Sequence, residues 1–420
     1  MRRIILLSVI ILQASLCAVH AQEKLPQWKP GYLDIHAIAT GSGENTFIIM
    51  PDGTTMLVDM GQMGDTTRYL PHPGKTPAQW VARYIRTFSE GLPHPRRLDY
   101  FFLTHFHSDH MGMGYMAYPG THGYRLNGIT ELGEYLSFNE IVDRGYPRYD
   151  YPSERYFTRH PDNFMNDYRA FLQYKSETDS CHVSLFCIGS HKQFSLKNDP
   201  RAYRKLFDVF CVAGNGYITT GRGLGARKMT EDNPEFFDEN MFSCSIRIKY
   251  GAFSYYLGGD TPGSNYWVKQ YLGGAIVTPE RAANELAPNR DFESQIADVI
   301  APVTAMKLDH HGCPDVCNPY FLYKMRPQVI VVNGSATKQP SPPTLLRIAD
   351  PQMPCAHKVF VTMDKSRETC GDEIWEKCVH PAMGHIVIRV YEDGKSYRVY
   401  VLDAHSEDYP VIYEGGLMEL

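Results

Sequence analysis

Short apolar runs separated by polar turns dominate the start of the chain. "YLDIHAIAT" and "NTFIIM" predict strands, "PDGT" predicts a turn, and "TMLVDMG" predicts a further strand ending at Asp59. The apolar positions of "PAQWVARYIRTF" recur at helical spacing. The strand-like "LDYFFLT" follows and runs straight into "HFHSDH". Beyond it, "GITELGEYL" predicts a helix and "FNEIVDRG" a short strand. From 146 to 180 the chain is rich in Tyr, Arg, Asp and Pro, which predicts an inserted surface segment. Strand-like runs then resume with "VSLFCIG", "FDVFCVAG", "SIRIKYG" and "FSYYLGGD", interrupted by a stretch over 217–238 that predicts a second insertion, a long loop. "DVIAPVTAMKLDHHG", "PQVIVVNGS" and "HKVFVTM" predict more strands, alternating with the helix-like "TPERAANELAP", "NPYFLYKM" and "PPTLLRIAD". The final "GHIVIRVYEDGKSYRVYVLD" predicts a hairpin. Many strands with interspersed helices and no linker or repeat predict one large α/β domain over 31–415, a two-sheet sandwich with helices outside.

The first 21 residues break this pattern. "MRR", the apolar "IILLSVIILQASLCA" and the small-residue ending "AVHA" are laid out as a secretory signal peptide cleaved after Ala21, with 22–30 as a linker. Cys17 raises the alternative of a lipid anchor, but Leu16 is bulky where such processing wants a small residue. The expectation is an exported periplasmic or extracellular protein with no integral membrane segment once processed. With 42 Lys and Arg against 47 Asp and Glu, the formal charge is −5, so non-specific nucleic-acid binding is not expected. An exported chain can form disulfides, and Cys313–Cys317 and Cys370–Cys378 are near neighbours in sequence. No paired Cys-x2-Cys spacing suggests a structural zinc site.

The chemistry concentrates in "LTHFHSDHMGMG". In an extended loop His105 and His107 point the same way and can meet one ion. Asp109 and His110 follow at a turn and can face a second ion. Imidazole and carboxylate together suit zinc, with manganese or iron also fitting. Two more strand ends offer ligands: "FSYYLGGD" carries Asp260, and "AMKLDHHG" carries His310 and His311.

Taken in order, these segments resemble the metallo-β-lactamase superfamily. "TGSGENTFIIMPDGTTMLVDMG" resembles its first hairpin, with Asp59 where a buried aspartate supports the metal loop. "HFHSDH" resembles its signature, "ENMFSCSIRIKYGAFSYYLGGD" the hairpin with the bridging aspartate, and "KLDHHG" the segment with the last histidine. One branch is resembled most, the branch with the hydrolase domain of bacterial DNA-uptake channels and a phosphorylcholine esterase. The resemblance implies a four-layer αββα sandwich holding two divalent metal ions. His105 and His107 would hold the first, Asp109 and His110 the second, and Asp260 would bridge. One of His310 and His311 would complete the second site, the other contacting substrate or donating a proton. A further histidine of the first site is not evident. His160, His182 and His191 lie in the right interval, and His191 is the best placed of them.

The implied function is an exported hydrolase that makes hydroxide between two ions about 3.5–4 Å apart, with Asp109 and His310 as the proton-handling groups. A small phosphorylated compound, a phosphodiester of phosphocholine or nucleotide type, is the favoured substrate. An acyl hydrolase acting on a lactone, β-lactam or thioester is the alternative enzyme, and a non-catalytic metal- or ligand-binding module the alternative of another class. Tyr146, Tyr149 and Tyr151, with Arg144 and Arg148, could either rim a pocket or pack on the core; packing is favoured.

Overall fold

The computed structural model describes residues 23–62, 74–153, 164–229, 238–263, 291–334 and 338–420. They build two large sheets packed face to face, each with an antiparallel half and a parallel half. In the first sheet the strands run in the spatial order Val411–Glu414, Ser396–Leu402, His385–Val390, Leu33–Ala37, Thr46–Ile49, Thr55–Val58, Arg97–Phe102, Ser137–Asp143 and His182–Leu185. From Thr55–Val58 onward the pairing is parallel, with Met56, Leu57 and Val58 opposite Tyr100, Phe101 and Phe102. The second sheet runs Ala226–Lys228, Tyr217–Thr219, Phe207–Gly214, Ser245–Tyr250, Phe253–Leu257, Ala305–Lys307, Val329–Val332 and Phe360–Val361. Its last three strands join in parallel.

The central strands carry near-continuous apolar runs because both faces are covered. Between the sheets, Ile35, Ile48, Met56, Val58, Tyr100 and Phe102 meet Cys211, Ile246, Ile248, Tyr255, Leu257 and Val331. Each fully buried aliphatic or aromatic side chain of this kind contributes about 1.5–3 kcal/mol. Outside the first sheet, the helix Pro77–Phe88 is started by a capping box of Thr76 and Gln79 and buries Val81, Tyr84 and Ile85. Outside the second, the helices Phe292–Ile300, Pro319–Met325, Pro342–Ile348 and Asp372–Cys378 bury Ile296, Phe321, Leu345 and Trp375. The four layers are therefore helices, sheet, sheet and helices, as the expected αββα sandwich requires.

Three local expectations differ from the structure. The run beginning at Asp298 is not strand at its start: Asp291 caps the helix Phe292–Ile300, and the strand begins only at Ala305, beyond Pro302. Part of the stretch taken for loop from 217 forms a hairpin, with Tyr217 opposite Lys228 and Thr219 opposite Ala226, that extends the edge of the second sheet. The Tyr-rich region contributes to the core. Its helix Phe164–Thr178 buries Phe164, Tyr168 and Phe171, and the Tyr149 hydroxyl donates to Asp143 at 2.8 Å. "TPERAANELAP" lies outside the described residues, as do the first 22 residues, on which the expected signal peptide falls. No described helix is long and apolar enough to cross a membrane.

Candidate metal centre

The unusual residues all follow the carboxyl ends of strands, on one edge of the sandwich. Asp59 follows Thr55–Val58, the segment 104–110 follows Arg97–Phe102, Asp260 follows Phe253–Leu257, and His310 and His311 follow Ala305–Lys307. Such strand ends are where open α/β sheets collect ligands, because the loops there face a common crevice.

Asp59 adopts a positive φ of 60° and is fully buried. Its Oδ1 accepts from the Thr104 amide at 2.8 Å, and its Oδ2 accepts from the Thr104 hydroxyl at 2.8 Å and from His110 Nδ1 at 2.7 Å. With its hydroxyl hydrogen committed to Asp59, Thr104 accepts from His105 Nδ1 at 3.1 Å. This chain of donors leaves Nε2 of both histidines as the bare, ligand-type nitrogen. A one-turn helix, Ser108–Met111, then presents His110 inward and leaves Asp109 at the edge.

His105 Nε2 and His107 Nδ1 face each other at 3.2 Å. That matches the ligand–ligand edge, about 3.3 Å, of a tetrahedral ion with bonds near 2.0–2.1 Å. Asp260 lies between two groups of nitrogens. Its Oδ1 is 3.1 Å from His110 Nε2 and 3.6 Å from His311 Nε2, while its Oδ2 is 3.8 Å from both His105 Nε2 and His310 Nε2. Gly259, at a φ of 60°, brings the Asp260 turn close to the signature loop, since a Cβ there would lie 3.0 Å from Thr104 and 3.2 Å from Ser243. Ser243 Oγ accepts the Asp260 amide at 3.1 Å.

The two adjacent histidines separate in role by geometry. Both have positive φ, 44° and 50°, a strained backbone pair that turns their rings different ways. His311 is buried, donates from Nδ1 to the Asn333 carbonyl at 2.9 Å, and aims Nε2 at Asp109 Oδ2, 3.3 Å away. His310 is 18% exposed; its Nε2 lies 3.2 Å from Asn240 Nδ2 and its Nδ1 3.4 Å from Asp315. His311 thus stands with Asp109, His110 and Asp260, and His310 stands at the rim.

Sequence reasoning missed Glu44 and Lys307. Both are fully buried, and Lys307 Nζ lies 2.7 Å from Glu44 Oε2 and donates to the Gly259 carbonyl at 2.5 Å. Glu44 comes near His110, Asp260 and His311. It sits, however, on the Nδ1 side of both imidazoles, 3.9 Å from each, where those nitrogens already serve Asp59 and Asn333. It therefore braces the cluster from behind together with Lys307. A lysine inside the apolar run "AMKL" was the available signal, because lysine is almost never fully buried without a partner.

The electrostatics suit a cation. Burial pushes the Asp260 carboxyl up, but His110, His311 and His310 outweigh it and hold it well below the usual range. Asp109 is held low in the same way by His110 and His311 against burial. Burial works to lower His110, yet Asp260, Asp59 and Asp109 raise it well above an ordinary imidazole. His105, with less carboxylate around it, is pushed well below by burial and by His110. A field that holds a proton on His110 attracts a divalent cation by the same Coulombic pull. His110 Nε2, His311 Nε2 and Asp260 Oδ1 are buried and make no aligned hydrogen bond among the described residues. Unpartnered polar atoms converging in this way fit one or two bound cations.

His191 does not belong to this group. It is half exposed, shares Nδ1 with Asp208 at 2.9 Å, and stacks on Phe210 with ring centroids 4.2 Å apart. It sits on the second sheet's own surface beside Phe207–Gly214, away from the loops that converge. His182 is exposed on its strand, and His160 lies outside the described residues.

No protein-family description and no curated protein matches the chain. Solved structures that resemble it include CmlA, a diiron β-hydroxylase from Streptomyces venezuelae, at 12% identity over 86% of this chain, with a TM-score of 0.38. The chain spans about half of CmlA, 55% of its length. The metallo-β-lactamase fold protein YhfI from Bacillus subtilis is similar at 9% identity over 86% of this chain and 100% of that one, TM-score 0.35. Zn2+-bound PqqB from Methylobacterium extorquens is similar at 11% identity over 85% and 99%, TM-score 0.35.

Proposed function

We propose that the chain is a metal-dependent hydrolase acting on a phosphodiester with two divalent cations. The observation that carries this reading is the position of Asp260, whose two carboxylate oxygens face separate groups of imidazole nitrogens. His105, His107 and Asp260 Oδ2 would hold one cation; Asp109, His110, His311 and Asp260 Oδ1 would hold the other. Imidazole and carboxylate donors favour zinc, with manganese and iron also accommodated. Such ions supply an acidified water and positive charge for developing oxyanions.

The chain's own residues do the rest. Asp59 sets the ring and tautomer of His110, and Asn333 does the same for His311. Asp109, 21% exposed and kept ionised by His110 and His311, is the group positioned to accept a proton from water. His310 reaches the rim with Asp315 behind its Nδ1. Burial lowers it, while Cys313, Asp260 and Asp315 together raise it well above an ordinary imidazole, which suits the donor of a proton to a leaving group.

The choice of a phosphodiester rests on the branch resemblance of "YGAFSYYLGGD" and "HHG". Export rests on the layout of the first 21 residues, and processing would leave a protein that meets a small substrate outside the cytoplasm. Hydrolysis of bis(p-nitrophenyl) phosphate and of nitrocefin by zinc- or manganese-loaded protein, with Asp260→Ala as the blank, tests the assignment. Phosphodiester turnover lost in the blank supports it. Rapid β-lactam turnover with no phosphodiester turnover transfers it to the acyl hydrolases. Two bound cations with neither activity leave a binding module.

A further inference from the structure

We propose a third divalent-cation site beside the first two, formed by His310 Nδ1, Cys313 Sγ and Asp315. These donor atoms lie within 4.8 Å of one another. His310 Nδ1 and Asp315 Oδ1 are 3.4 Å apart, again close to the edge of about 3.3 Å expected between tetrahedral ligands. They make no aligned hydrogen bond, so the pair is not a finished Asp–His dyad.

The turn that gathers them is built for it. Gly312 has a φ of 82°, and a Cβ there would lie 2.7 Å from Leu308 and 2.8 Å from Pro340. The Cys313 amide donates to the His310 carbonyl at 2.9 Å, folding the thiol back under the imidazole. Gln339 Nε2 donates to Cys313 Sγ at 3.0 Å, fixing the sulfur from the far side. Cys313 is near Cys317 in sequence, but no disulfide joins any of the nine described cysteines. Its sulfur is instead turned toward His310 and Asp315, and with side-chain exposures of 18% and 30% those two leave an entrance from solvent.

One nitrogen, one sulfur and one oxygen form a borderline-soft set that suits zinc or cobalt with a fourth position left for water. The site uses the face of His310 turned away from Asp260. The site does not rest on the hydrolase reading above.

Cobalt titration of chelator-stripped full-length protein tests it. The two sites of the main centre contain no sulfur, so a thiolate-to-cobalt charge-transfer band reports the third alone. The expected result is a third equivalent accompanied by that band. Cys313→Ser keeps two equivalents and loses the band, and Asp315→Asn weakens the third equivalent at least about tenfold. Saturation at two equivalents without a band, or a band that survives in both variants, overturns the proposal. Should Cys313→Ser fail to fold, the wild-type band and Asp315→Asn decide. Failure of the binuclear reading shows separately, as fewer than two equivalents bound by a folded Cys313→Ser protein.

Discussion

Two buried polar groups flank the same loop, and they are built in opposite ways. On one side of Phe106, Arg144 and Glu239 close on each other: Arg144 donates twice to Glu239, at 2.6 and 2.5 Å, and Glu239 accepts the Phe106 amide at 2.8 Å. The guanidinium lies between Phe106 and Phe242, 4.6 and 4.9 Å from their ring centres, and also donates to Tyr151 and Asn215. On the other side, four imidazoles and two carboxylates, those of His105, His107, His110, His311, Asp109 and Asp260, crowd together with polar atoms aimed at shared space. Both groups are buried and charged, so burial does not tell them apart. What differs is completion. The Arg144 group neutralises itself, whereas the histidine group leaves His110 Nε2, His311 Nε2 and Asp260 Oδ1 without an aligned hydrogen bond among the described residues.

The largest effect should come from Asp260→Ala. It should abolish cation binding at both positions and lower turnover by on the order of 1,000-fold, measured by elemental analysis and phosphodiester assay. In metal-free protein the same change should also destabilise, because it removes the carboxylate that faces His110 and His311; an apo variant as stable as the parent would break this reading. Next, Arg144→Ala should destabilise by about 3–5 kcal/mol with or without metal, since it strands Glu239 in the interior. Denaturant titration in chelator and in zinc should give the same loss. Third, Asp59→Asn should weaken cation affinity by about 10–100-fold while the fold survives, as isothermal titration would read.

A pH effect follows in size and sharpens the closed half of the comparison. His385 is buried neutral, its Nδ1 accepting the Ala39 amide at 3.0 Å, and burial lowers its pKa to about 3. In the unfolded chain it titrates near 6.5. The folded state therefore binds fewer protons below pH 6.5, and stability falls as pH drops from there toward 3. At pH 5 the loss is on the order of 2 kcal/mol. His385→Asn should remove that part of the pH slope in thermal melts, and metal should not alter it. The smallest effect belongs to His191→Ala: stability within about 0.5 kcal/mol of the parent and the same cation content. A lost equivalent would return His191 to the site.

The sequence shows strands best where both faces are covered, because continuous apolar runs such as "LDYFFL" leave little ambiguity. It fails at the edge hairpin of Tyr217–Thr219 and Ala226–Lys228, where the second strand is fully exposed and shows no apolar alternation. It fails also at Asp298–Ile300, since an apolar helix end and a buried strand look alike over a few residues. At the site, residues grouped in one motif were legible, His105 to His110 above all. Glu44, Asn240 and Lys307 were not, because each is defined by partners distant along the chain. Glu44 in "GSGENTF" looks like an ordinary turn residue until the other sheet brings Lys307 against it. The choice between His310 and His311 needed the two positive-φ residues, which no spacing reveals.

The placement of the ligand-bearing loops has one more consequence. His105, His107, Asp109 and His110 belong to the first sheet, Asp260 and His311 to the second, so neither half owns a complete set of ligands. On the proposed reading, cation capture follows the docking of the sheets. A fragment ending before residue 245 would keep every histidine of the signature and still lack Asp260 and His311.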